Sequence, residues 1–502
     1  MKQKFTFFLA FLMALTWTSS YGQGKNVNVK HIEIEKENGV DFIDCTPIKE
    51  NGLIVTTQIE DKQKDATKWH DILTFMKYDT LLKKVKSVDV NCAREFRVSY
   101  FENKSNFYRV AMSTRGEYQV LLLDGETMKP SVFEGETGKR TEKLAQQAQG
   151  DYVYILGLMK DRPVVVSVNV KTGTKELIQV SDLSLLKPNF LSFEVSDKQD
   201  EVYLFLKQKE NKEYVLKFHV FANGKITKSY TITSEGEERF PTSAYASKMD
   251  DGSYLISGTY SLKDRRVNST SVGVYLKKLK DGKTIFSNYT NYSDMKRYLE
   301  SHMGEKTIRR VDRVKTKMEE KNKEVNMNYL MLPHRIIEKN GKYIFVAESY
   351  QPIYHYETTI GPKGERQTKR VFDGYSYTHY LLLKYNQDGV VEWDNGAPMH
   401  GPNLTKRLRR YLSINMTDNS IDIIQPTYRK LYHTTFGENG EKVKENEIEY
   451  VGDEETLKRV SDLDSDFWYD NTFVSTGMLK IKSEDKKKRN VYNIIKISVP
   501  KN

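Results

Sequence analysis

Cysteine is almost absent. Only Cys45 and Cys92 occur in 502 residues, and neither has a second Cys or His at ligand spacing, so neither a zinc site nor a disulfide-built scaffold is predicted. An oxidising compartment would permit the two to pair, which spacing alone does not decide. Long apolar runs are missing after residue 22, which leaves no later stretch of the roughly 20 apolar residues that a membrane helix needs. There is no nucleophile elbow of the G-x-S-x-G type, no phosphate loop and no H-E-x-x-H pair. No catalytic residue can therefore be assigned from a motif, and no cofactor and no metal site are predicted. Long helical patterns are nearly absent too.

What is present begins at the first residue. MKQKFTFFLAFLMALTWTSSYG places Lys2 and Lys4 ahead of an apolar stretch from Phe5 to Trp17, and Ser20 and Gly22 are small residues at a cleavage point before Gln23. This is the layout of a signal peptide over residues 1–22. An anchor helix fits less well, because Thr16, Thr18, Ser19 and Ser20 interrupt the run. No cysteine stands near the cleavage point to carry a lipid. The mature chain, 23–502, is read as exported, without a transmembrane anchor after cleavage and located in the periplasm or another extracytoplasmic compartment.

The formal charge is +11, and removal of the leader with its two lysines and no acid leaves about +9. A basic balance can mark nucleic-acid binding. Export argues against that partner, and acids and bases are interleaved along the chain, so the charge reads as a solvated surface and no nucleic acid is predicted.

Strand-like runs rich in Val, Ile, Tyr and Phe recur throughout. They form a compound unit: an apolar strand, a polar hairpin, a second strand, then a turn of the Asp-Gly or Asn-Gly kind into a third. The unit starts near Gly52, Asn106, Asp151, Glu201, Gly252 and Gly341, and in weaker form near Ser420 and Asn471. The first five starts lie roughly 50 residues apart, among the periods of β-propellers. The fold expected is all-β, a β-propeller of seven or eight blades. Two smaller propellers, or a propeller plus a β-sandwich, are the alternatives. The last unit lacks a strand, and NVNVKHIEIE from Asn26 is an orphan strand able to complete it.

One helical insertion is predicted, about 294–326, where Ile308, Val311, Val314 and Met318 make a narrow apolar stripe. Packing against its own propeller is the preferred reading, ahead of a partner-binding or membrane-surface helix. The basic run KRLRRYL, Lys406–Leu412, would place Arg407 and Arg409 opposite Leu408 in a strand. It reads as a charged edge that discourages strand pairing, slightly ahead of a grip on an acidic glycan.

Polar aromatic and titratable residues are densest in the sixth and seventh units. Tyr350, Tyr354, His355, Tyr356 and Glu357 come from AESYQPIYHYET; Phe372, Asp373, Tyr375, Tyr377 and His379 from VFDGYSYTHY; Tyr428, Arg429, Tyr432 and His433 from PTYRKLYHTTF. Opening on one face of the ring, they would form a pocket in which tyrosines stack on sugar faces and Arg or His binds carboxylates. Tyrosine is also a favoured strand residue, so a half-buried sheet surface is the plain alternative. His355 and Glu357 share a strand face, and His379 or His433 would have to join them before a metal could bind. In a catalytic reading His379 or His433 is the base, and Tyr377 or Arg429 steadies the anion.

Within the sixth unit the segments KYIFVAESYQPIY, FDGYSYTHYLLLKYNQDG and VEWDN, spanning about 341–395, resemble a group of uncharacterised exported β-propeller-like proteins of the Bacteroidetes. The resemblance implies lineage and an envelope location, and it carries no catalytic residues. Propellers host enzymes and scaffolds alike. The expectation is a non-enzymatic cell-envelope binding or scaffold protein, recognising a glycan or a partner protein through one propeller face. A periplasmic carbohydrate-active lyase or hydrolase is the alternative.

Overall fold

The computed structural model describes residues 27–502, apart from 38, 61–69, 94–96, 104–105, 113–116, 137–140, 182–189, 197, 199, 211–212, 234–238, 264–268, 361–364, 401–404, 407, 453–454, 484–486 and 501–502. The leader at 1–22 and the side chain of Cys92, and with it any pairing to Cys45, lie outside the described residues.

Strands dominate, and they pair antiparallel into eight consecutive sheets of four or five strands each. Three of the Asp-Gly and Asn-Gly signals fold as tight two-residue hairpin turns. At Asn223-Gly224, Asp281-Gly282 and Asn340-Gly341 both residues take positive φ, between 48° and 83°, the mirror-image turn whose twist matches that of the strands it joins.

Each sheet is too small to bury its own faces, and the alternation of side chains shows how the problem is solved. In the strand Tyr152–Met159, Val153 and Ile155 join an apolar cluster shared with the second sheet, whereas Tyr154 and Leu156 join one shared with the fourth. The same holds around the ring: every apolar cluster is built by two consecutive sheets. One of them joins the eighth sheet to the first, with Val474 and Ile494 against Leu53 and Val55. This is one β-propeller, not two, and not a propeller with a sandwich.

The ring is fastened by its first strand. Asn28–Glu35 pairs with Lys488–Ser498, in register from Asn28↔Ser498 to Glu35↔Val491, and so becomes the outer strand of the eighth sheet. The expectation that the orphan strand completes the last unit is met. Trp468 adds a clamp across the same joint, its indole N–H donating to the carbonyls of Lys49 and Gly52 at 2.7 and 2.9 Å.

The helical insertion forms α1, Lys296–His302, and α2, Glu305–Glu319. Tyr298, Leu299 and Val311 are buried in the cluster between the fifth and sixth sheets, with Ile308 packed against it. The insertion therefore packs on its own propeller. Among the described residues no helix is long and apolar enough to cross a membrane.

Candidate functional site

The residues singled out in the sixth and seventh units separate into three places. Strands Lys342–Ile360 and Arg366–Tyr385 are far longer than their neighbours and stay paired out to Ile360↔Arg366. Their inner halves are buried in the sixth sheet, while the outer halves stand off it as an exposed ribbon. Tyr354, His355, Tyr356 and Glu357 are on the ribbon. There the His355 ring lies between Asp373, 2.5 Å from Nδ1, and Glu357, 3.1 Å from Nε2. These two carboxylates raise its pKa. Arg370 covers the Tyr354 ring at 3.5 Å.

A second group is buried. Tyr350 and Tyr377 lie in the cluster between the sixth and seventh sheets, with Tyr375 at its edge. His379 stacks on His302 of α1 at 3.9 Å; its Nε2 meets the Tyr298 hydroxyl at 2.7 Å and its Nδ1 the Thr378 hydroxyl at 2.9 Å. His433 is held by Asp422 at 2.9 Å and by the Asn446 amide at 3.0 Å. Tyr432 stacks on His400 at 3.8 Å. His355, His379 and His433 thus do not converge, and no group of three or more metal-ligating side chains occurs among the described residues. Both ring nitrogens of His379 and of His433 are engaged within the protein. Tyr377 faces the backbone of Arg409, and of the residues singled out in these two units Arg429 and Tyr428 line the large cavity.

That cavity, of about 1350 Å³, opens beside the joint between the eighth sheet and the first. The eighth sheet's innermost strand, Glu455–Tyr469, supplies much of the wall. Its pairing slips between Leu457 and Arg459 and again between Ser461 and Asp464. Such bulges re-aim side chains, and here they bring Lys458, Arg459, Asp462 and Asp464 all to the cavity. Arg429 enters from the seventh sheet, and Asp44 from the first.

The remaining wall is the run Lys406–Leu412, whose described residues form no strand. It is a strap held inside the ring rather than a charged sheet edge. Thr405 pairs with Tyr375 through backbone bonds of 2.7 and 3.1 Å. The Tyr377 hydroxyl donates to the Arg409 carbonyl at 2.5 Å and accepts its N–H at 3.2 Å. Glu348, with 0 % of its surface exposed, accepts the N–H groups of Tyr411 and Leu412 at 2.8 and 2.9 Å, and meets His334 Nε2 at 2.7 Å. Arg407 lies outside the described residues.

Two arginines of the strap point to different parts of the ring. Arg410 donates to the Pro333 carbonyl at 2.8 Å and to Glu194 at 3.2 Å, and Arg335 approaches the same carboxylate at 2.9 Å. Burial works against the charge of Glu194, yet the two arginines hold its pKa below the ordinary value. Arg409 points into the cavity, 3.5 Å from Asp464 and bonded to the Leu463 carbonyl. Burial lifts the Asp464 carboxyl above its usual range, against the pull of Arg409. Burial, with the neighbouring charge of Asp464, lifts Asp44 to about 6.

No family model matches this chain. No curated protein matches it either. Solved structures do. A prolyl endopeptidase aligns with 81% of the chain at 7% identity and a TM-score of 0.37, and the chain spans about half, 51%, of that protein's length. The WD40 domain of SCAP from fission yeast aligns with 93% of the chain and 98% of its own length, at 7% identity and a TM-score of 0.39. The polysaccharide lyase Uly1 aligns with 81% and 91%, at 9% identity and a TM-score of 0.36. Likenesses this loose carry no argument about the site, and the fold rests on the sheet order and the shared clusters described above.

The cavity therefore stands on its own residues. Five cations, Lys406, Arg409, Arg429, Lys458 and Arg459, face three carboxylates, with Tyr411, Tyr428 and Tyr492 between them. Sequence reasoning found Arg429, Tyr428 and the strap's basic run, and missed Asp44, Lys458 and Asp464. Their local sequences hold no motif, because the strands that carry them meet only where the ring closes.

Proposed function

We propose that this protein is an exported binding protein of the bacterial envelope whose central cavity takes an anionic, hydroxyl-rich ligand, an acidic glycan. The observation that carries this reading is that, among the described lining residues, five cations face three carboxylates in a cavity roomy enough for several sugar units. Partly desolvated cations attract carboxylates more strongly than exposed ones do, and the tyrosines offer ring faces and hydroxyls to sugars. Export follows from the leader, and an envelope lineage from the resemblance over 341–395.

The direct test is a thermal-shift comparison of the mature chain with uronate-containing and neutral oligosaccharides. Uronates are expected to raise the melting temperature, and Arg429→Ala combined with Lys458→Ala to abolish the rise. An equal response to neutral sugars would overturn the reading. N-terminal sequencing of the protein recovered from a periplasmic fraction should begin at Gln23 or within a few residues of it.

A protein partner is the second reading, favoured by the ribbon, where Tyr356 is 70% exposed and Ile360 71%. It predicts that a partner which co-purifies with the full chain is lost when 351–374 is replaced by a tight turn.

A further inference from the structure

Asp44 and Asp464 stand on the innermost strands of the first and eighth sheets, strands that touch where the ring closes. Both line the same cavity. Asp464 keeps 43% of its side chain accessible, so it is recessed without being sealed from a ligand. The surroundings of the two differ. Asp464 has the Arg409 guanidinium 3.5 Å away. Asp44 has neutral donors, the Cys45 N–H at 2.8 Å and the Thr46 hydroxyl at 3.4 Å, with the Tyr492 phenol nearby and Arg409 only as a weaker influence. Two carboxyls whose surroundings differ in this way divide the roles of acid and base, and glycoside hydrolysis uses such a pair on either side of the bond it cuts.

We propose that Asp44 and Asp464 are the acid and the base of a glycoside hydrolase site in this cavity, acting on an acidic glycan. The inference rests on the binding reading above. Asp44 gives its proton to the bridging oxygen as the bond from that oxygen to the anomeric carbon breaks. Asp464, 3.5 Å from the Arg409 guanidinium, takes a proton from water as the water oxygen bonds to the same carbon. One water is consumed, one new reducing end appears, and the proton that has passed from Asp44 to Asp464 returns through solvent. No oxidant, reductant or other co-reactant is needed. The groups facing the acid are Asp464, Arg409, Thr46 and Tyr492. Because burial and Asp464 lift Asp44 to about 6, turnover should decline as pH rises above that value.

The test incubates the full mature chain with oligosaccharides of polygalacturonate, alginate and hyaluronan. Binding is read by calorimetry, cleavage by new reducing ends and by the ultraviolet absorbance of unsaturated uronate. The expected result is binding together with reducing ends that carry no such absorbance. Asp44→Asn and Asp464→Asn should each lower the rate on the order of 100-fold or more while keeping affinity within about threefold, with unchanged melting curves. Loss of the alkaline decline in Asp44→Asn would separate an acid from a structural residue. If one variant does not fold, the other decides. Binding without cleavage, or cleavage untouched by both variants, overturns the catalytic proposal and leaves the binding reading standing. An ultraviolet-absorbing product overturns hydrolysis in favour of elimination. No binding to any of the three overturns the binding reading and the catalytic proposal with it.

Discussion

Glu348 shows what a single buried carboxylate does in this ring. It receives the backbone of Tyr411 and Leu412 and the ring of His334, with 0% of its own surface exposed. Removing it leaves two buried N–H groups unsatisfied, each costing about 1–3 kcal/mol. Glu348→Ala should therefore lower the unfolding free energy by about 3 kcal/mol or more, read by urea denaturation. It should also weaken cavity ligands, since Arg409 rides on the same strap. His379 acts through pH. Burial, with His302 beside it, lowers its pKa from 6.5 to about 3, so the folded protein keeps it neutral where the unfolded chain would protonate it. Its contribution to stability is complete above 6.5 and is lost as pH falls from 6.5 towards 3. His379→Gln should flatten the stability profile in that window by up to about 1.4 kcal/mol per pH unit, as measured by denaturation at a series of pH values.

At the scale of strands and loops, the ribbon and the first strand make opposite predictions. Residues 351–360 and 366–372 are largely exposed, so trimming the ribbon to a tight turn should change the unfolding free energy by no more than about 0.5 kcal/mol. Ile32 of the first strand is fully buried between the eighth and first sheets, and Ile32→Ala should cost about 2–5 kcal/mol. Strands, Asp-Gly and Asn-Gly turns, the helical insertion and the orphan first strand were all legible in the sequence, because each depends on local periodicity or turn chemistry. The site was not. Tyr350, Tyr377, His379 and His433 look like binding residues by composition, yet all four are buried between sheets, a matter of register and sheet packing that tyrosine content does not reveal. Arg409, on the strap that leads into the seventh sheet, meets Asp464 of the eighth, and their pairing exists only once those sheets have stacked.

For the whole molecule, each apolar cluster among the described residues is shared between two sheets, so the sheets are coupled in pairs around the ring. Unfolding is expected to be a single calorimetric transition, and limited proteolysis should give no stable half-ring; two resolved transitions would mean two independent units. The basic excess, about +9 in the mature chain, is interleaved with acids along the sequence, so added salt should alter the stability of the free protein little, while it reduces the melting shift produced by a uronate in the cavity.

The fastening of the eighth sheet by Asn28–Glu35 also sets an order of events. The strand is made long before its partner, Lys488–Ser498, and waits until the sheets between them have been synthesised. Until then a nascent chain holds an apolar strand with nowhere to go, and after it a sheet edge that any second copy's strand would fit. Two chains maturing side by side are thus exposed to exchanging their first strands, a hazard that concentration controls and that a ring closed by consecutive strands would not face.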